Sequence, residues 1–143
     1  TRVVIVGGGP SGALTSLYLA HPSRGFDIDI LEGMPKEDVG RRTSRSYNVV
    51  VFERGLEALK AGGVDLNEQA GNALILTGNV RHTTEGGVMK VGGLFTGTTS
   101  IGRGALARML LEKASQLPNV RVHYGHKLQD VDLEARCGHG VVA

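Results

Sequence analysis

The chain has 143 residues, about one domain's worth, enough to bury a core without disulfide or metal staples. Sixteen basic and 14 acidic residues leave a net charge of +2, too balanced to argue for nucleic acid or an anionic membrane surface; 4% aromatics with no Trp provide no stacking platform for single strands. A single Cys excludes an internal disulfide and a multi-Cys zinc site, and no apolar run reaches the roughly 18 residues of a membrane span.

Val3-Val4-Ile5-Val6 is a short apolar run that ends at glycines, and it predicts a strand buried on both faces, the parallel-sheet type. Pro10 and Ser11 open a predicted helix over Gly12 to Ala20. Phe26 to Leu31 is a second predicted strand, closed by Glu32, so a β-α-β unit fits in about thirty residues. Residues 33 to 46 read as a polar loop with Arg41, Arg42 and Arg45. Tyr47 to Phe52 reads as extended, and Glu53 to Ala61 as a helix stopped by Gly62-Gly63.

Farther on, Ala73 to Thr77 and Val88 to Val91 flank Gly86-Gly87 and predict a hairpin. A short extended piece ends at Ile101. Leu106, Met109, Leu110, Ala114 and Leu117 form a helical stripe over Ala105 to Leu117, stopped by Pro118-Asn119. Val120 to Tyr124 is another parallel-type strand. Leu128 to Glu134 alternates, and Val141-Val142 suggests a returning strand. The fold class is therefore α/β: a central parallel sheet with helices packed on it and a small antiparallel β element. The whole of residues 1–143 reads as one Rossmann-like domain that stops in mid-pattern. A strand-like run from residue 2 predicts no leader within the chain itself, and one cysteine fits a reducing, intracellular compartment.

Glycine is in excess, 22 of 143 residues against an ordinary usage of about 7%. The chemistry lies in Gly7-x-Gly9-x-x-Gly12, which follows a strand and opens a helix. Gly7 permits the tight turn, Gly9 lets a pyrophosphate approach the backbone, and Gly12 lets the helix pack on the sheet. The freed N–H groups of the turn and the helix dipole at Pro10-Ser11 attract the phosphates. Glu32 ends the second strand, where a carboxylate can accept ribose hydroxyls and disfavours a 2′-phosphate. The motif predicts a dinucleotide and leaves FAD and NAD both open.

Three further blocks carry a resemblance. VVIVGGGPSG with DIDILE, then SRSYNVVVFERGLEALKAGG, then IGRGALARMLLEKASQLPNVRVHYGHKL occur in one order along nearly the whole chain. Together they resemble the N-terminal FAD-binding portion of the class A flavoprotein monooxygenases (aromatic hydroxylases), and most of all the family's kynurenine 3-monooxygenase branch. The resemblance implies FAD as cofactor, with NADPH or NADH as electron donor in the full-length enzyme. It implies O₂-dependent hydroxylation of an aromatic or similar small molecule. The alternatives are an FAD oxidoreductase of another type and an NAD-binding domain without monooxygenase activity. Such enzymes also need downstream Asp-Gly and Gly-Asp segments, so this chain is expected to be inactive alone.

Residue by residue, the resemblance implies that Gly7, Gly9, Ser11 and Gly12 cradle the pyrophosphate and that Glu32 binds the adenosine ribose. Arg103, at the start of the long helix, would contact FAD from the far side of the pyrophosphate. Leu128 would hold the adenine, largely through its backbone, and Arg45 would lie near the flavin or ribityl part. A cation at a helix N-terminus is disfavoured by the dipole, and a nearby phosphate would offset that for Arg103.

Two departures stand out. Gly33-Met34 follows Glu32 where many relatives place a basic residue. Asn79 and Val91 stand where the kynurenine enzymes use an arginine and a tyrosine for the substrate carboxylate, and neither supplies charge. The sequence therefore does not argue for kynurenine as substrate. The remaining candidates are weaker. His123 and His126 are three apart, and an alternating strand would not aim them together. Cys137 has no visible activating partner, and Arg54 reads as a helix-start residue. No metal site is expected.

Overall fold

A computed structural model describes residues 1–41, 47–66, 73–91, 97–132, 134 and 137–142. The chain divides into two compact units, Thr1–Ser46 with Arg103–Ala143, and Tyr47–Gly102.

The first unit begins with β1 (Arg2–Val6), α1 (Pro10–Leu19), a short 3₁₀ turn at Pro22–Arg24, and β2 (Asp27–Glu32). The long helix α3 (Arg103–Ala114) and strand β8 (Val120–Tyr124) belong to it as well, as do β9 (His126–Asp132) and β10 (Cys137–Val142). β1, β2 and β8 form a parallel sheet in the order β1-β2-β8, with Val4 beside Asp29 and Asp29 beside Arg121. This is the 3-2-1 half of a doubly wound sheet. Side chains alternate along each strand. One face carries Ile5, Ile28, Ile30 and Val120 toward α1 and α3, which pack on each other, and Ile28, Ile30, Leu110 and Leu111 are buried there. The Asn119 side chain donates to the carbonyls of Ala20 and Phe26, at 3.0 and 2.9 Å, and so ties the end of α1 to the start of β2.

The other face departs from the expected burial on both faces of β1: Val4 and Val6 are exposed there, because no helix packs on that side among the described residues, and it carries charge. Asp29 is almost fully buried and accepts from Arg2 Nε at 2.7 Å, Arg121 Nε at 3.0 Å and His123 Nε2 at 2.7 Å. Arg121, with help from His123 and Arg2, holds the Asp29 carboxyl well below the usual carboxylate range, although burial pushes the other way.

β9 and β10 form an antiparallel ribbon. Here one expectation fails: the His123 and His126 rings do meet, edge to face, with centroids 5.5 Å apart. Gly125, at φ +69°, turns the chain between β8 and β9, so strand alternation does not run through the pair.

The second unit contains β3 (Asn48–Val51), α2 (Glu53–Ala61), β4 (Ala73–Ile75), β5 (Asn79–His82), β6 (Val88–Val91) and β7 (Thr99–Gly102). β3, β7 and β4 form an antiparallel sheet in that order. Gly55 on α2 sits over Val51 of β3, and Ile101 is buried beneath. The expected hairpin forms around Gly86-Gly87, but β6 pairs with β5, whereas Ala73–Ile75 pairs with β7. The reason is local. Thr83 Oγ1 accepts from Gly87 N–H at 2.9 Å, and this tight closure sets His82 opposite Val88.

The remaining boundaries shift by a few residues. α3 begins at Arg103, and its last turn tightens after Ala114 through i→i+3 bonds such as Leu117 N–H to the Ala114 carbonyl. Among the described residues no helix is long and apolar enough to cross a membrane.

Candidate cofactor site

The site is built at the carboxyl ends of β1 and β2. Past Val6 the chain turns at Gly7, whose φ of +95° only glycine adopts without strain. Gly7 N–H still donates to the Leu31 carbonyl at 2.8 Å, so the turn stays on the sheet. Gly9 is the N-cap of α1, without a side-chain cap, and Pro10 follows at N1. No acidic residue sits in the first turn, so the positive helix end is not neutralised from within. A Cβ at Gly12 would collide with the Gly7 carbonyl oxygen and crowd Ile5 Cγ2 at 3.2 Å. Glycine at 12 thus holds the helix N-terminus close to the strand end, and a helix N-terminus so placed suits an anion.

Glu32 closes β2 and is held by two backbone donors. Gly8 N–H donates to Oε2 at 2.7 Å and Met34 N–H to Oε1 at 2.8 Å. Each carboxylate oxygen keeps a further lone pair for a ligand hydroxyl. A Cβ at Gly8 would lie 2.9 Å from both Glu32 Oε2 and Leu111 Cδ1. Tyr124 is the register partner of Glu32 on β8. Burial pushes its phenol pKa up, and Glu112 and Glu32 add to the shift, so it stays neutral beside the carboxylate.

The remaining wall comes from α3 and the loop after β2. Gly40 (φ +85°) and Gly104 touch backbone to backbone, with a Cβ at Gly104 only 3.1 Å from Gly40 Cα. At Gly104 the space that a side chain would need is taken by the chain's own loop. Arg103 leads α3, and its Nη2 lies 3.8 Å from the Cβ position of Gly9. Arg41 pairs with Asp38 at 2.9 Å. Together these residues line a cleft of about 380 Å³ in which glycine backbone, two guanidiniums and one carboxylate meet. That volume lies in the usual range for a ligand cleft. The donors suit a pyrophosphate and the carboxylate a ribose, so the residues present fit a dinucleotide such as FAD.

Of the residues expected from sequence, Gly7, Gly9, Glu32 and Arg103 line the cleft together. Gly12 lies beneath it against Gly7, and Ser11 is exposed on the first turn of α1. Leu128 is half-buried on β9 opposite Gly140 and is not among the lining residues. Arg45 lies outside the described residues. Sequence reasoning missed Gly8, Met34, Val39, Gly40, Arg41, Gly104 and Ala107 as cleft residues. For Arg41 a signal existed in the arginine-rich loop. A second cavity, about 700 Å³, lies in the other unit between α2 and Gly97-Thr98, and Arg54 lines it with Glu57, Lys60 and Asp65. Its charges are mixed.

Residues 1–137 match the model of a family described as FAD binding domain. The chain is 29% identical to the kynurenine 3-monooxygenase of Mycosarcoma maydis, over 93% of this chain and 27% of that protein. It is 32% identical to the kynurenine 3-monooxygenase of Drosophila willistoni, over 98% of this chain and 32% of that protein. It thus spans about a third or less of the length of these curated relatives. Among solved structures, p-nitrophenol 4-monooxygenase PnpA from Pseudomonas putida DLL-E4 superposes with a TM-score of 0.71 at 22% identity, over 92% of this chain and 34% of that one. At that identity the likeness bears on fold.

Proposed function

The chain belongs to the FAD binding domain family, and on that premise we propose that it is the FAD-holding part of a flavoprotein monooxygenase. The parent enzyme would use NADPH or NADH and O₂ to hydroxylate an aromatic or similar small molecule. The observation that carries this reading is the cleft itself. Glu32, oriented by the N–H groups of Gly8 and Met34, shares it with the open N-terminus of α1 and with Arg103.

When bound, FAD would supply the redox and oxygen chemistry. The chain's residues bind and orient. The backbone of Gly7 to Pro10 and the α1 dipole take the pyrophosphate, with Ser11 at the first turn and Gly12 holding that turn in place. Arg103 pairs with the same phosphates. Glu32 accepts the ribose hydroxyls. Leu128, through its backbone, and Arg45 complete the set on the adenine and flavin sides, as the resemblance implies.

For the substrate we infer a molecule other than kynurenine. Asn79 and Val91 are cross-strand partners on the β5–β6 hairpin, and neither residue type carries the charge that pairs with a carboxylate.

Titration of the chain with FAD, followed by flavin fluorescence and absorbance, tests the binding reading. Saturable binding that Glu32→Ala weakens at least tenfold is expected. No binding, or tighter binding of NAD than of FAD, would overturn it. Oxygen uptake with NADPH and FAD tests the second part, and this chain alone is expected to show none that a substrate stimulates.

A further inference from the structure

Met34 lies two residues past Glu32 and lines the same cleft. Its backbone is fixed on both sides: its N–H donates to Glu32 Oε1 at 2.8 Å, and its carbonyl accepts from Gly125 N–H at 3.0 Å. Even so, the residue is 40% exposed. An anchored backbone thus displays a thioether in the cleft, next to the carboxylate assigned to the ribose. A thioether is a flexible, polarizable surface well suited to a flat aromatic base. It is also the side chain that accepts an oxygen atom from peroxide, becoming polar and chiral.

The chain has three methionines. Met89, on β6 in the other unit, is 55% exposed and outside the cleft, and Met109 is half-buried on α3. Only Met34 combines exposure with a place in the cleft.

We propose that Met34 is an apolar contact for the adenosine end of bound FAD and the point at which oxidation weakens that binding. The proposal rests on the FAD reading above. The oxidant is hydrogen peroxide. One oxygen atom passes to the Met34 sulfur, which is oxidised by two electrons to the sulfoxide, and the peroxide is reduced to water. No bond within the chain breaks. The sulfoxide dipole then faces the base where an apolar surface was, and a methionine sulfoxide reductase would reverse the change.

The test treats the chain with graded hydrogen peroxide, with and without saturating FAD, and reads oxygen addition at each methionine by peptide mass spectrometry. FAD is expected to protect Met34 and to leave the rate at Met89 unchanged. After oxidation the Kd for FAD should rise about five- to tenfold, the size expected for losing roughly one kcal/mol of apolar contact. Met34→Leu, whatever its own affinity, should show no further loss on the same treatment. Equal oxidation of Met34 with and without bound FAD would overturn the proposal while leaving FAD binding standing. An equal peroxide loss in Met34→Leu and the unmodified sequence would do the same. Failure of the untreated chain to bind FAD would remove the underlying reading and the proposal with it.

Discussion

The backbone N–H of Gly8 and the carboxylate of Glu32 meet at 2.7 Å, joining the carboxyl ends of β1 and β2. This bond, with its companion from Met34, holds the carboxylate in one orientation.

Glu32→Gln probes that arrangement with little change of shape. The amide keeps one acceptor oxygen and sets an NH₂ against one of the two backbone donors. FAD affinity should fall about ten- to a hundredfold, the loss expected for charge-assisted bonds worth roughly 1.5–3 kcal/mol. Flavin fluorescence titration reads it, and a change under threefold would argue against a ribose role for Glu32.

Gly12→Ala should damage the scaffold as well as the cleft. The added methyl meets the Gly7 carbonyl, a backbone atom that cannot swing aside. Helix and strand must separate, at a cost of about 1–3 kcal/mol for overpacking. Thermal melting should show a lower Tm, and FAD binding should weaken in parallel because the α1 N–H groups move with the helix.

Arg103→Ala separates affinity from stability. The residue is exposed at the head of α3, so Tm should shift little, within about 1 kcal/mol. Affinity for FAD should drop about tenfold or more through the lost phosphate pairing. Added salt should weaken the unmodified chain more than the variant, because only the former has this charge pair to screen.

Asp29 makes the fold acid-sensitive. Its carboxyl pKa is lowered in the folded chain, by Arg121 first, so below about pH 4 the unfolded chain binds the extra proton. The stabilisation is therefore complete above that range and is lost as pH falls through it. Asp29→Asn should flatten this acid limb of the Tm–pH curve. At neutral pH it should cost about 2–3 kcal/mol, less than for a fully buried pair because Arg2 and Arg121 remain largely in water. An unchanged acid limb in the variant would show that another carboxylate controls it.

Much was legible in the sequence because it is local. The Val3–Val6 run, the three spaced glycines and the acid at 32 act through backbone sterics and periodicity within one β-α-β unit. The long helix was legible for the same reason, through its apolar stripe. His123 and His126 were misread because alternation holds only while a strand continues, and Gly125 ends it. The hairpin was half read: Gly86-Gly87 marks the turn, but its closure at Thr83 chooses the partner strand.

By itself, the sequence determined the class of fold and predicted the glycine turn and the acid at the end of β2 that are proposed to hold a dinucleotide, since each is set by residue type and short spacing. Tertiary structure alone decided which groups share the cleft. Gly8 and Met34 orient Glu32, Gly40 seats on Gly104, Arg103 reaches Gly9, and Asp29 collects Arg2, Arg121 and His123. Apart from Met34 and Glu32, which are two residues apart, these pairings join residues distant in the chain. They exist only because parallel strands β1, β2 and β8 place distant side chains in register and α3 packs across them.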